Sequence, residues 1–585
     1  MWRKRTKGFL FISTVSFVFL LARLIQIQLI ETEAFSKHHI NLIEESVKQR
    51  TQEMVIDNGR GNFQDRNGNM LTHQKISVLV LFPFLKKMTW DIEKVSLITG
   101  VSVNSLKNAI KNAKKPFDFG DPNPIELTHS QMERINELKI PGVFAIEKKV
   151  ERSSIPAEQL IGLTGENANE LTMRYPQKKL SERTLIGVSG LEKSFDEFLL
   201  PDGLSKLVFH VAGDGAPLFG INVRYVDPAN PFYPVNIRTT LDKEIQEKAE
   251  DLVDKHQIKN GGLVLLNLQD NSILAMVSRP YINKNDPYNG AGVTNGMLTQ
   301  QIMGSVFKTV VAAAAIEHNL DEPSRLFDCS KKINGKPEIK YNYGKLTFAD
   351  SFALSCNRTF GEIAKELQAK DPHLLEDYAA RLSLIGPVGW QGDVYHISHF
   401  KQLSDEEKGR VFLSYLARKD PNYVAMSGIG QDEVRATPLA VANMMATIAR
   451  GGQKEMVRAV SKIEYKNGTT MVNFAKKNIS GDIISPYAAM KLQKLLRGVV
   501  MNPNGTGHWF QNLPYDVAGK SGTAETGKYK NAQQLHNKWF AGYFPFQSPK
   551  YALVAVNLDV YDNEGGVNLL FADMVKMLYE YDARN

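Results

Sequence analysis

Cysteine is nearly absent from this chain. Cys329 and Cys356 are the only two in 585 residues, which excludes a disulfide-stapled scaffold and leaves even a single bridge unexpected. No histidine or cysteine group has zinc-ligand spacing, and His396 and His399 read as surface residues, so no zinc site is expected. Beyond the first seven residues there is no basic run, and there is no RNA-type aromatic motif, so nucleic-acid binding has no support. Repeats and low-complexity tracts are missing too, which excludes a solenoid or a linker protein. Long apolar runs are also missing, with one exception. Residues 8–30 are almost wholly apolar, about 34 Å long at helical rise and enough to cross a bilayer.

Arg3, Lys4, Arg5 and Lys7 precede that run and supply four of the formal net charge of +8. Arg23 lies near its far end, where it can snorkel to the interface, and no small-residue cleavage site follows, so the segment reads as an uncleaved anchor. The basic flank predicts a cytoplasmic N-terminus, with everything after Ile30 outside. The alternative is a buried helix of a soluble domain.

The chemistry centres on Gly304-Ser305-Val306-Phe307-Lys308, followed by Thr309-Val310-Val311 and four alanines. If the run is helical, Ser305 and Lys308 lie one turn apart on one face, β-carbons roughly 5–6 Å apart. The helix is otherwise apolar all round, as a buried helix is. Burial lowers a lysine's pKa, which lets its amine take the proton of the neighbouring hydroxyl and activate it as a nucleophile. Ser-x-x-Lys also recurs by chance, as at Ser398 and Lys401 in a polar stretch. Two further motifs supply context: Ser355-Cys356-Asn357, and Lys520-Ser521-Gly522-Thr523, the only Lys-Ser/Thr-Gly in the chain.

The ordered trio resembles the penicillin-recognising serine acyl transferases, whose signature is S-x-x-K, S-D-N and K-T-G. Cys356 replaces the aspartate and Ser521 the threonine, the latter keeping the hydroxyl. Upstream, residues 60–71 (Arg60-Gly61 through Asp65-Arg66-Asn67-Gly68 to Leu71) resemble the R-G-x-I-x-D-R-N-G segment of class B penicillin-binding proteins. Residues 152–162 and 187–192 resemble later motifs of that region, and Ser427-Gly428-Ile429-Gly430-Gln431 and Ala436-Thr437-Pro438-Leu439 resemble a segment of their transpeptidase domain. Nothing between Ile30 and Asn236 matches the acidic motifs of a glycosyltransferase, which leaves the monofunctional class.

The expected organisation is a tail over residues 1–7, an anchor over 8–30, a strand-rich pedestal over 31–236 and a transpeptidase domain over 237–585. A helix is expected to continue from the membrane to about Arg50, and Asn67-Gly68 reads as a two-residue type I′ hairpin turn. From Ile237 the pattern turns to a helix opening at Leu241-Asp242, strands over 261–268, 272–278, 520–526, 539–544 and 551–558, and a closing helix over 568–581. Helices around a mostly antiparallel sheet make the fold class α+β.

The resemblance implies a D,D-transpeptidase that cross-links peptidoglycan stem peptides, donor and acceptor, and is acylated by β-lactams. It makes Ser305 the nucleophile, Lys308 its base, Ser355 the proton relay to the leaving amine, Asn357 a backbone ligand and Lys520 a source of positive field. Ser521 and Thr523 would hold the terminal carboxylate beside Gly522, with the N–H groups of Ser305 and Thr523 as oxyanion hole. Cys356 is expected to point away from the chemistry. Partners implied are the plasma membrane, a membrane glycosyltransferase and other wall-synthesis proteins. The alternatives are a D,D-carboxypeptidase, a membrane-bound β-lactam sensor or class D-like β-lactamase, and a non-enzymatic wall-assembly scaffold.

Overall fold

The structure, a computed structural model, describes residues 2–36, 40–152, 154–178, 180–212, 224–228 and 230–584; Met1 of the basic tail and Ser153 of the 152–162 motif lie outside them. A helix Trp2–Ile25 runs into a π-helical turn Gln26–Ile30. The stretch from Arg5 to Ile30 is long enough to span a membrane, and its most apolar 18-residue window has a mean hydropathy of 2.1 and no buried residue. The expected continuation to Arg50 does not occur. Glu31 closes the helix by donating its N–H to Gln26, and Asn41 opens a separate helix, Leu42–Gln49, by accepting the N–H groups of Ile43 and Glu44.

The rest of the chain forms two compact units that are not consecutive in sequence. The first comprises residues 1–59, 73–151 and 201–231. In it His73–Leu81 pairs antiparallel with Val143–Glu151 along its whole length, and Thr51–Asp57 pairs with Ser205–His210. Alternation along the first ladder puts Val78 and Val80 against Met54 and Phe209, and Leu79 and Leu81 against the helical residues Val95 and Leu106.

The second unit comprises residues 60–72, 152–200 and 232–585. Its early pieces are stitched together and to the later chain. Arg60 meets Glu192 at 2.6 Å and Asp196 at 2.9 Å, all three buried, so two of the three upstream motifs, those of residues 60–71 and 187–192, meet in one ion cluster. Asn62–Gln64 pairs in parallel with Asn236–Thr239, the Gly61 N–H donates to Leu199 O at 2.9 Å, and the Arg152 N–H donates to Thr72 O at 3.0 Å. The turn at Asn67-Gly68 is not type I′. Only Gly68 has positive φ (98°), because Asp65 folds the loop by accepting the N–H groups of Asn67 at 2.9 Å and Asn69 at 2.7 Å.

The later chain supplies α1 (Lys243–Lys255), β1 (Gly261–Asn267), β2 (Ser272–Arg279), α2 (Lys308–Glu317), α3 (Phe348–Ala353), α4 (Asn357–Lys370), α5 (Pro438–Ala449), α6 (Pro486–Met501), β3 (Ala518–Lys530), β4 (Gln533–Phe544), β5 (Tyr551–Tyr561) and α7 (Asn568–Arg584). The sheet order is β2-β1-β5-β4-β3 with every neighbour antiparallel, which is the expected α+β class. Period-two alternation sends Val264, Leu266 and Val554 into one core with α2 and α5, and Leu263, Leu265 and Leu553 into another with α1 and α7. Caps set the helix starts: Asp242 accepts the Ile245 N–H, and Thr437 and Ser485 cap helices whose first residue is proline. The sheet therefore leaves β3 as an outer edge beside α2 and the loops before α4.

Candidate active site

The first motif falls across a change of helix type. Ser305 lies in a 3-10 turn, Gly304–Phe307, and Lys308 is the first residue of α2. Two glycines let this turn lie against its neighbours. A β-carbon on Gly304 (φ +54°) would sit 2.4 Å from Thr523 O, and one on Gly430 (φ +73°) would sit 1.9 Å from Gly304 O. The Gly304 N–H donates to Gly430 O at 2.9 Å.

The apolar run behind Lys308 is buried throughout, and Lys308 is buried with it. Lys308 Nζ lies 2.7 Å from Ser355 O, 3.0 Å from Ser355 Oγ and 2.6 Å from Asn357 Oδ1. Loss of solvation, and secondly the charge of Lys520, hold its pKa well below the ordinary lysine value. A neutral amine has two N–H groups and one lone pair. With Lys308 in that form, the two carbonyl-type oxygens, which can only accept, would take its N–H groups and the Ser355 hydroxyl would donate to the lone pair. Lys520 Nζ approaches Ser355 Oγ from the other side at 3.0 Å and also donates to Ser521 O at 3.2 Å. Burial lowers the Lys520 pKa to about 7. Ser355 Oγ thus sits between the two lysine amines, 3.0 Å from each.

Ser355 reaches this place from the link between α3 and α4, with a left-handed backbone at φ 62°. A non-glycine residue held there stores strain, which the surroundings must offset. They include a bond that the sequence did not lead us to expect. Cys356 is bridged to Cys329, with Cα atoms 6.0 Å apart. Cys329 stands on a two-stranded ribbon, Phe327–Asp328 paired with Lys345–Leu346, which brings it to the start of α4 although it lies 27 residues earlier in the chain. The Cys356 sulfur is thereby directed to Cys329, while Ser355 and Asn357 on either side meet the lysines.

The third motif runs along the edge strand β3. Lys520 is buried, Ser521 half-buried and Thr523 exposed. A β-carbon on Gly522 would lie 2.8 Å from Met303 O, so glycine lets β3 close onto the Ser305 turn. Gln431 fixes the same edge: its Nε2 donates to Thr523 O at 3.4 Å and its Oε1 accepts the Glu525 N–H at 3.0 Å. In an antiparallel strand a residue's C=O and N–H point the same way. The Thr523 N–H therefore points outward with its carbonyl, toward the Ser305 turn. The Ser305 N–H, at the start of its turn, takes no main-chain acceptor from the loops around it.

Lys308, Ser355, Asn357 and Lys520 thus form one network. Ser305 precedes Lys308 by a turn, and Ser521, Gly522 and Thr523 border it. Lys308 spends its hydrogen bonds on the second motif and makes none to Ser305. Catalytic contacts of this kind often tighten only when substrate is bound. Gln431 and Cys329 were missed as contributors. Gln431 closes the Ser427–Gln431 motif and so lay in plain view, whereas nothing local marks Cys329. Among the described residues no group of side chains could hold a metal ion.

A serine at the mouth of a buried helix, a lysine kept neutral beside it and outward N–H groups on a facing strand are the equipment of a serine acyl transferase. Residues 261–569 match the penicillin binding protein transpeptidase domain, and residues 55–208 match the penicillin-binding protein dimerisation domain. The chain belongs to the penicillin-binding protein transpeptidase family, with the domain pair of class B members. It is 22% identical over 575 residues to the peptidoglycan D,D-transpeptidase MrdA of Haemophilus influenzae, covering 89% of this chain and 84% of that one. It is 23% identical over 580 residues to the peptidoglycan D,D-transpeptidase FtsI of Buchnera aphidicola subsp. Schizaphis graminum, covering 93% and 89%. Its fold is similar to that of a solved chain from work on structural coordination of polymerization and crosslinking by a peptidoglycan synthase complex, with a TM-score of 0.65, 20% identity and coverage of 98% and 97%.

Proposed function

We propose that this chain is a D,D-transpeptidase that joins peptidoglycan stem peptides through an acyl-enzyme on Ser305. The observation that carries the reading is the Ser355 hydroxyl held between the buried amines of Lys308 and Lys520. Lys308 takes the Ser305 proton as Oγ attacks the carbonyl of the penultimate D-alanine. The oxyanion that forms is met by the N–H groups of Ser305 and Thr523. Losing one such donor typically costs roughly 100- to 1000-fold in rate. The proton then passes from Lys308 through Ser355 to the departing D-alanine amine, and Lys520 restores or steadies charge on that path. Asn357 orients the peptide backbone, and the Ser521 and Thr523 hydroxyls hold the terminal carboxylate. An acceptor amine attacks the ester and regenerates Ser305.

The N-terminal helix fits an anchor, and the basic residues in its first two turns favour a cytoplasmic N-terminus with both folded units outside. A membrane glycosyltransferase and other wall-synthesis proteins are the partners in keeping with this placement. β-Lactams would acylate the same serine. Labelling of the full chain with a fluorescent penicillin, followed by peptide mapping, tests the assignment. Label is expected on Ser305 and lost in a folded Ser305→Ala protein; label retained there, or found on Ser398, overturns it. Supplying an amine acceptor with a D-alanyl-D-alanine donor separates transpeptidation from carboxypeptidation: aminolysis product is expected in preference to free acid.

A further inference from the structure

The ribbon that carries Cys329 closes a loop whose two ends are paired with each other, and the loop is tied down at two places. At one end residues 329–333 are tied to the second motif, by the Cys329–Cys356 bridge and by Arg358, whose NH1 donates to Ile333 O at 3.0 Å. Farther along the loop Lys340 Nζ meets Asp562 Oδ2 at 3.2 Å. Asp562 is also held by Lys538, at 3.0 Å through its carboxylate and 2.8 Å through its carbonyl. Lys538 is the register partner of Thr523, so the two side chains share one face of the β3/β4 pair. Residues 329–345 thus stand beside the second motif at their base and reach the neighbourhood of the third through Lys340.

The two attachments differ in kind. The first is covalent and buried. The second is an ion pair with both side chains more than half exposed, and such pairs are weak and readily exchanged. The loop is also strongly basic. Lys331, Lys332, Lys336, Lys340 and Lys345 stand against one carboxylate, Glu338, which is occupied in accepting the Lys340 N–H at 3.0 Å. Ile339 and Tyr341, on either side of Lys340, are exposed.

We propose that residues 329–345 form a substrate-recognition strap, in which Lys340 exchanges the carboxylate of Asp562 for a side-chain carboxylate of the peptide bound along β3. The inference rests on the transpeptidase reading and adds a specificity determinant outside the three motifs. The exchange leaves no charge stranded, because Asp562 keeps Lys538 as partner and Lys340 gains the incoming carboxylate. Ile339 and Tyr341 give the peptide apolar contact on each side. The strap therefore prefers a peptide that carries an acid where an otherwise identical one carries an amide.

The test uses the full chain in detergent and two donor peptides ending in D-alanyl-D-alanine, which differ only in a side-chain carboxylate or carboxamide upstream of that end. Wild type is expected to favour the acid about two- to fivefold in kcat/KM, the size of one exposed ion pair. Lys340→Ala removes the preference through KM, with kcat and penicillin labelling within about twofold of wild type, and Lys340→Glu reverses it. Asp562→Asn, which weakens the latch but leaves Lys340 in place, lowers KM for the acid peptide. The proposal is overturned if wild type turns over both peptides equally, if Lys340→Ala keeps the full preference, or if its penicillin labelling falls in step with peptide turnover. A wild-type chain that neither labels nor processes either peptide would instead sink the transpeptidase reading itself.

Discussion

Replacing Cys329 by serine removes the bridge from the side that carries no catalytic neighbour. The bridged residues are 27 apart, and closing a loop of that length in the unfolded chain is worth about 3.6 kcal/mol. The unit that contains the bridge has about 400 residues, for which an unfolding entropy of about 2.1 cal/mol/K per residue turns that loss into a drop of about 4 °C in Tm. The functional effect is expected to be larger than so small a shift suggests. Ser355 is held in a left-handed conformation immediately before Cys356, and once the bridge is gone it can relax toward an ordinary backbone. A displacement of about 1 Å there breaks its contacts with both lysines, and misplacements of that size cost up to about 100-fold in rate. Scanning calorimetry with and without reductant, alongside the second-order rate of penicillin acylation, measures both effects. Cys356→Ser should match Cys329→Ser, the double variant should add nothing, and reductant should move wild type to the same values. A Cys329→Ser protein with wild-type Tm and wild-type acylation would show that the bridge does not pin the second motif.

The pH profile of acylation should be a bell. Lys308 must be neutral to take the Ser305 proton, so the rate rises as pH climbs through its lowered pKa; Lys520 must be charged, so the rate falls above about pH 7. A profile flat from pH 5 to 9 would contradict the assignment of the two lysines. Gly430→Ala places a β-carbon 1.9 Å from Gly304 O at a positive φ, and should cost about 2 kcal/mol or more in stability and most of the penicillin labelling; an unchanged denaturation midpoint would count against this packing. Removal of residues 1–30, the span that is long and apolar enough to cross a membrane, should give a protein that stays in the supernatant on ultracentrifugation without detergent and still labels. Recovery only in detergent would point to a second membrane-binding surface.

The network of Lys308, Ser355, Asn357 and Lys520 was legible because each motif couples a rare spacing to a definite chemistry, and the order of the motifs survives whatever loops lie between them. The sheet was legible where strands are buried on both faces, as in β1 and β2, whose apolar runs end within a residue or so of their observed limits. Features set by partners distant in sequence were not. Two isolated cysteines carry no mark of pairing, and only the ribbon of residues 327–346 brings them together. Asn67-Gly68 looks like a type I′ turn until Asp65 competes for the same N–H groups. The apolar helix ends at Ile30, short of Arg50, because Glu31 and Asn41 offer local hydrogen bonds that an apolar period cannot reveal. Arg60 and Glu192 each lay in a recognised motif, yet their contact across 132 residues is a property of the folded unit.

The chain crosses between the two compact units at residues 59/60, 72/73, 151/152, 200/201 and 231/232. Consequently no single peptide bond, once cut, releases a whole catalytic unit from its anchor. A protease acting after residue 231 would leave residues 60–72 and 152–200 with the anchored fragment, and with them Phe63, Leu191, Phe195 and Leu199, all buried in the core that the later chain completes. The severed piece would stay attached by strand pairing and apolar contact, or leave with a torn core. Shedding by one cleavage, an easy fate for domains strung in a row, is closed to a protein threaded in this way.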